Sequence, residues 1–118
     1  TLWAQDKDFL KKVKEILGIP VIRHSDLCFD TVHTVAICGG AGSFLIGNAK
    51  AAKADIYLTG DLKYHDFQQA EGRIILADIG HFESEQFVKD LIYWEISKKF
   101  SIFVSRISTK NRGFVLYI

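Results

Sequence analysis

Residues 77–85 read Ala-Asp-Ile-Gly-His-Phe-Glu-Ser-Glu and lie between two segments of different periodicity. The apolar run at 74–76 predicts a short buried strand, and the pattern over 86–99 predicts an amphipathic helix. His81 therefore stands where a strand passes into a helix, and Glu85 follows four residues later. On a helix these two side chains lie one turn apart on one face, where an imidazole and a carboxylate can bind the same metal ion. Acidic residues that favour the positive end of a helix dipole explain the same pattern without a ligand.

The same alternation of strand and helix occurs twice before this stretch. Strands are predicted at 35–38 and 55–58, and each is followed by a short loop and a helix, over 44–53 and 62–71. Strands that alternate with helices predict a parallel sheet with right-handed crossovers. The loops after the strands then open at the carboxyl edge of the sheet, where ligands bind in open α/β proteins.

The ends of the chain add a helix and further strands. A helix is predicted over 5–17, followed by a strand at 21–24, and two more strands are predicted at 101–104 and 114–118. We therefore predict an α/β layered sandwich with a mixed, partly parallel sheet flanked by helices. Because the sequence begins at Thr1 without a methionine, we expect it to be a piece of a longer protein.

Composition excludes several function classes. Hydrophobic residues make up 48% and charged residues 25%, as in a soluble globular domain of 118 residues. Because 15 basic residues are offset by 14 acidic ones, neither nucleic acid nor an anionic membrane is expected as a partner. Without an apolar run of about 20 residues or a signal peptide, we expect a cytoplasmic protein. In that setting Cys28 and Cys38 are expected to be buried, reduced thiols.

The loop after the second strand carries polar groups of its own. Thr59-Gly60-Asp61 is followed by His65 and Asp66 around a strand-to-helix junction. Asp61 can be a helix N-cap and Asp66 a solvated helix residue, and that interpretation explains each acid separately. It does not explain why His65 lies at the same predicted edge as His81, so His65 is a candidate site residue.

The glycine-rich stretch at 39–43 has two interpretations. It lies between a strand and a helix, where backbone N–H groups can cradle phosphate. The lysine of a Walker loop is absent, and the glycine spacing of a dinucleotide fingerprint is not met. A tight turn with close backbone packing is therefore favoured, and a lesser role as backbone lining of a site stays open.

Three ordered segments, at 35–43, 55–66 and 78–85, resemble the NIF-three-like family of dinuclear-metal proteins, which are often labelled GTP cyclohydrolase type 2 homologues. The resemblance extends from about residue 21 to residue 103. It implies a NIF-three-like fold, with 1–118 forming the C-terminal lobe of a longer two-lobe protein.

The same resemblance implies the roles of individual residues. In the family, a Gly-His-x-x-x-Glu segment supplies two metal ligands, which fall here on His81 and Glu85. The histidine after Thr-Gly-Asp lines the same cleft and falls on His65, which would then be catalytic. The remaining ligands, a His-His pair and an Asp, belong to the N-terminal lobe, and this chain contains no His-His pair.

The implied cofactors are two divalent metal ions in the full-length protein: zinc, manganese, iron or magnesium. The implied partners are the missing N-terminal lobe and further copies of the same chain, in a ring-shaped homohexamer. The implied function is a metal-dependent hydrolase that acts on a nucleotide or another phosphorylated compound. The alternative is a metal-stabilised scaffold or regulatory interaction protein without turnover.

Overall fold

The computed structural model describes residues 6–102, 104–110 and 112–118. The helices are α1 (Asp6–Leu17), α2 (Ile46–Ala51), α3 (Tyr64–Gln68), α4 (His81–Glu85) and α5 (Val88–Lys99), with a 3-10 turn at Ser43–Leu45. The strands are β1 (Arg23–His24), β2 (Val35–Ala41), β3 (Ile56–Gly60) and β4 (Ile75–Asp78). Helices follow β2, β3 and β4 in turn, as the alternating pattern predicts.

The four strands form one sheet in the order β1-β4-β3-β2. Strand β3 is parallel to both β2 and β4, whereas β1 pairs antiparallel with β4 at one edge. The predicted α/β fold with a mixed, partly parallel sheet is therefore confirmed. The carboxyl ends of β2, β3 and β4 all lie at the same edge of the sheet.

The hydrophobic core lies on both faces of β3 and β4, whose described residues are all buried. Ile56 and Leu58 point to the face that α1 covers, while Tyr57 points to the face that α2 and α3 cover. This alternation follows from the two-residue period of a strand. Helices on both faces thus fix the central strands and hold their carboxyl ends in place.

The last predicted helix, over 86–99, begins at Val88 in the structure as α5. A separate short helix, α4, precedes it from His81 to Glu85. The amphipathic helix predicted over 86–99 would bury its apolar residues, but Leu91 is 60% and Ile92 is 53% accessible. The expectation of burial is wrong because the apolar residues of α5 lie on several sides of the helix, and no element of the described chain buries them.

The two C-terminal strands are not formed in the described residues. Residues 101–102 form a turn, 104 and 114–118 have no regular structure, and Phe103 lies outside the described residues. Apolar side chains there remain in solvent, such as Leu116 at 87%. A strand needs a neighbouring strand for its backbone hydrogen bonds, and no strand of the described chain pairs with these segments.

The two cysteines are less buried than expected. Cys28 is exposed and Cys38 is half-buried, and the two form no disulfide. Cys38 lies on β2, an edge strand that has β3 on one side, which leaves part of its surface accessible. The helices of the described residues fall short of the length and apolar character that a membrane span requires.

Candidate functional site

Glycines allow α4 to begin directly against the sheet. Gly80 precedes His81 with a φ of 91°, a left-handed value that side chains disfavour, and a Cβ there would overlap the Glu83 carboxylate. A Cβ on Gly60 would lie 2.8 Å from the backbone nitrogen of His81. The end of β3 and the start of α4 can therefore approach each other closely because both positions lack a side chain.

His81 is held between two carboxylates. Its Nδ1 lies 2.6 Å from Oδ2 of Asp61, and its Nε2 lies 3.2 Å from Oε2 of Glu85. The predicted one-turn spacing of His81 and Glu85 on a helix is thus confirmed as a contact. The hydrogen bond to Asp61 is the main cause that raises the pKa of His81 above its ordinary value, and Glu85 adds to it. The ring is half-exposed, so a ligand can reach it from solvent.

A buried carboxylate, Asp78, joins the two loops that carry these groups. Its Oδ1 accepts a hydrogen bond from the backbone N–H of Gly80 at 2.9 Å. Its Oδ2 accepts one from the N–H of Leu62 at 2.9 Å and pairs with the guanidinium of Arg23. Sequence reasoning gave Asp78 and Arg23 no role, because they are 55 residues apart. The one feature of the sequence that could have indicated this role is a carboxylate at the end of a predicted buried strand, since a buried charge needs partners.

The glycines of β2 form the wall beside Glu85. The N–H of Gly40 donates to Oγ of Ser84 at 2.8 Å, and a Cβ on Gly40 would lie 2.5 Å from Oε1 of Glu85. A phenol hydroxyl also fixes this segment, since Tyr57 donates to the carbonyl of Gly42 at 2.8 Å. The strand continues to Ala41, so the expected loop at 39–43 is shorter than predicted. Close backbone packing, the favoured interpretation of these glycines, is confirmed.

A cavity of about 620 Å³ adjoins the N-terminus of α4. The aromatic rings of Phe82 and Tyr117 contribute an apolar part of its lining. Its polar lining combines one guanidinium and one imidazole with four carboxylates: Arg23, His81, Asp61, Asp78, Glu83 and Glu85. Burial and the neighbouring Glu83 carboxylate raise the pKa of the Tyr117 hydroxyl. The described chain thus offers an acidic, partly aromatic recess at the carboxyl edge of the sheet.

His65 is placed differently from His81. It is exposed on α3, where its ring lies edge-on to Tyr64 with 5.8 Å between centroids. Because α3 follows β3 as α4 follows β4, both histidines lie at the same end of the sheet. His65 is not among the described residues that line the cavity. The structure therefore brings His81, Glu85 and Asp61 together and leaves His65 outside that group.

The donor set fits part of a metal site. Nε2 of an imidazole and a glutamate carboxylate are ligand types that zinc, manganese and iron accept, and here they face each other. The contact from Asp61 to the other ring nitrogen is typical of groups that orient a metal-binding histidine. Among the described residues, no group of three or more His, Cys, Asp or Glu side chains could hold a metal ion. A metal site built on His81 and Glu85 would therefore need further donors from outside the described residues.

Two known proteins with similar sequences carry the same name. A Staphylococcus aureus protein named GTP cyclohydrolase 1 type 2 homolog is 33% identical over 118 residues, covering 95% of this chain and 32% of the relative. A Campylobacter jejuni protein with the same name is 41% identical over 76 residues, covering 64% of this chain and 30% of the relative. The chain thus spans about a third of the length of these relatives.

Solved structures and a family model agree with these relatives. The crystal structure of a Bacillus cereus protein related to NIF3 superposes with a TM-score of 0.71 at 29% identity. The match covers 98% of this chain and 34% of that one. The family model described as Duf34/NIF3 (NGG1p interacting factor 3) matches residues 4–111. The chain therefore belongs to the Duf34/NIF3 family.

Proposed function

We propose that this chain is the C-terminal lobe of a dinuclear metal-binding protein, a metal-dependent hydrolase acting on a nucleotide or another phosphorylated compound. The observation that carries the proposal is the position of His81 between Asp61 and Glu85, beside a cavity at the carboxyl edge of the sheet. The name shared by the relatives, GTP cyclohydrolase 1 type 2 homolog, supports a nucleotide as the substrate class.

In this proposal His81, through Nε2, and Glu85, through its carboxylate, hold an ion of the pair. Asp61 accepts the Nδ1 proton of His81, which leaves the lone pair on Nε2 available for binding. Bound divalent ions would polarise a substrate oxygen and lower the pKa of a water molecule. The remaining ligands would come from an N-terminal lobe, and zinc, manganese, iron and magnesium all stay candidates.

We assign His65 the role of general acid or base for a substrate that extends from the cavity toward α3. Its imidazole is exposed to solvent on α3, and a histidine is the side chain most often used as a general acid or base. The position of His65 relative to the cavity favours a second candidate function. Because His65 lies outside the cavity lining, a metal-stabilised scaffold or regulatory module without turnover fits the described residues as well.

The assembly is part of the proposal. We propose a cytoplasmic homo-oligomer, a homohexamer by resemblance, formed by the longer protein. The exposed apolar side chains of α5, such as Leu91, Ile92 and Trp94, support a partner over this surface. Size-exclusion chromatography with light scattering measures the assembly, and a monomer at micromolar concentration would contradict it.

Metal binding is tested on this chain by isothermal titration with Zn²⁺ and Mn²⁺. We expect weak binding, because two donors are fewer than the three or more that a tight site uses. The variants His81→Ala and Glu85→Ala should lose it. His24→Ala is the matched control, since His24 is also an exposed histidine but lies on β1 with Nδ1 beside the Ser25 carbonyl. Equal loss in the control, or no binding by the unmodified chain, would contradict the proposed ligands.

Turnover is tested on the longer, metal-loaded protein that carries this chain. Release of product from GTP or p-nitrophenyl phosphate, lost in His65→Ala while the metal content is unchanged, would support the hydrolase. Metal retention without turnover of either compound would favour the scaffold. The two functions need the same ligands, so activity and metal content have to be measured on the same samples.

A further inference from the structure

Asp78 is a buried carboxylate whose contacts come from three separate parts of the chain. It is 7% exposed, and it receives hydrogen bonds from the N–H groups of Gly80 and Leu62. The guanidinium of Arg23, on β1, completes its surroundings. Each of these groups is a hydrogen-bond donor, and together they occupy both oxygens of the carboxylate.

These contacts fall directly beside the groups of the candidate site. Leu62 follows Asp61 in the β3–α3 loop, and Gly80 precedes His81 in the β4–α4 loop. Arg23 reinforces the first loop, since its Nη2 also donates to the Leu62 carbonyl at 2.8 Å. Asp78 thus sets the separation of two loops whose tips meet in the 2.6 Å contact between Asp61 and His81.

We propose that Asp78 and Arg23 are a positioning pair that keeps Asp61 on Nδ1 of His81 and so leaves Nε2 directed to Glu85. Both residues line the cavity, but their contacts in the described structure are with each other, Leu62 and Gly80, and not with the imidazole or Glu85, so the pair acts on His81 through the two loops. The effect of the pair on metal binding rests on the proposed function, whereas the effect of the pair on the orientation of the His81 ring is independent of it.

Asp55 provides a matched control at the opposite end of β3. Its carboxylate also accepts two backbone hydrogen bonds, from the N–H groups of His33 at 2.7 Å and Thr34 at 2.9 Å. Both of these bonds go to Oδ2 of Asp55, so the amide oxygen of an Asn can still accept them, whereas at Asp78 the donors occupy both oxygens and an amide NH₂ must face one set. Asp55→Asn therefore controls for the loss of a loop-supporting negative charge, and a change at His81 is expected from Asp78→Asn alone.

The first measurement is the tautomer of His81 in the metal-free chain, from long-range ¹H–¹⁵N spectra of the imidazoles above their titration range. In the unmodified chain and in Asp55→Asn, we expect the proton on Nδ1, where Asp61 accepts it. In Asp78→Asn, an amide NH₂ faces groups that are themselves donors, so the loops separate and the proton moves to Nε2, as in a free imidazole. An unchanged His81 signal in a folded Asp78→Asn chain would overturn the proposal.

The second measurement is Zn²⁺ affinity by isothermal titration on the same three proteins. We expect Asp78→Asn to bind about tenfold more weakly or worse, as is usual when a group behind a metal ligand is removed, and Asp55→Asn to be unchanged. Equal weakening in both variants would overturn the positioning role. If the unmodified chain binds no Zn²⁺, the proposed metal function fails while the tautomer result still decides the positioning pair.

Arg23→Met keeps the experiment decisive if Asp78→Asn does not fold. The Arg23 side chain is 58% exposed, so its removal disturbs the core less than a change at Asp78. Methionine retains an apolar stem that can contact the Phe67 ring, over which the guanidinium lies at 5.5 Å. We expect the imidazole proton of His81 to move from Nδ1 to Nε2 in part of the Arg23→Met molecules. A spectrum identical to that of the unmodified chain would overturn the part assigned to Arg23.

Discussion

The central strands and helix α5 are both rich in apolar residues, yet they end in opposite environments. Every residue of β3 and β4 is buried, whereas no residue of α5 is. The strands lie between α1 on one face and α2 with α3 on the other. The difference shows that apolar content predicts which segments can form a core, while the neighbouring elements decide which of them do.

The sequence of α5 explains why its surface differs from that of α1. In α1 the apolar residues share one face, and Leu10 packs into the core cluster. In α5 the consecutive residues Leu91, Ile92, Tyr93 and Trp94 spread around the helix, so no single face can bury them all. A helix with apolar residues on most sides is typical of a segment enclosed by more than one neighbour.

The largest expected effect on stability comes from comparing a leucine-to-alanine substitution in the central strands with one in α5. Leu76→Ala removes a side chain with no exposed surface, and we expect the free energy of unfolding to fall by about 2–5 kcal/mol. Leu91→Ala removes a side chain that is 60% exposed, and we expect a change within about 0.5 kcal/mol in this chain. Urea unfolding followed by circular dichroism measures both. Similar losses would show that α5 packs against the body of the chain in solution.

Local patterns were sufficient to predict the part of the fold that holds the site. The strand-helix units and the contact of His81 with Glu85 depend on residues close in sequence, so their periodicity and spacing indicate them. The pair of Arg23 with Asp78 depends on β1 lying antiparallel beside β4, which no local pattern specifies. The burial expected for α5 was wrong for the same reason, because it depends on a neighbour that periodicity does not identify.

Alkaline pH should weaken the packed region through Tyr57. Burial, aided by Cys38, raises the pKa of Tyr57 to about 12 from 10.0. Below pH 10 the phenol is neutral in both states. Between pH 10 and 12 the unfolded chain releases this proton while the folded chain retains it, so stability falls, by roughly 2–3 kcal/mol in all.

Urea unfolding at several pH values from 9 to 12 measures this decline. Tyr57→Phe should remove most of it, because a phenyl ring does not titrate. Tyr64→Phe is the matched control, since that side chain is 76% exposed, and it should leave the decline intact. A decline that is the same in Tyr57→Phe would show that another group causes it.

The contact between the packed sheet and α4 is tested at a glycine. Gly60→Ala places a Cβ 2.8 Å from the His81 backbone, and we expect a loss of about 1–3 kcal/mol with a displaced His81. Gly47→Ala is the control, because a Cβ there meets nothing within 4 Å and the residue lies in α2. It should raise stability by about 0.5–1 kcal/mol, since alanine favours helix more than glycine does. Equal effects in thermal unfolding would contradict the close approach at Gly60.

The smallest expected effect is that of metal removal on the fold of this chain. The buried residues of the two clusters are apolar apart from the Tyr57 hydroxyl, and Asp78 is satisfied by donors of the chain itself. The sheet and its covering helices therefore have no need of an ion to stay folded, and the melting temperature should be the same with and without EDTA. His81→Ala, at a half-exposed site, should also melt near the unmodified chain. A marked fall in melting temperature with EDTA would contradict this prediction. It would mean that a bound ion, held at the start of α4, contributes to the stability of the sheet.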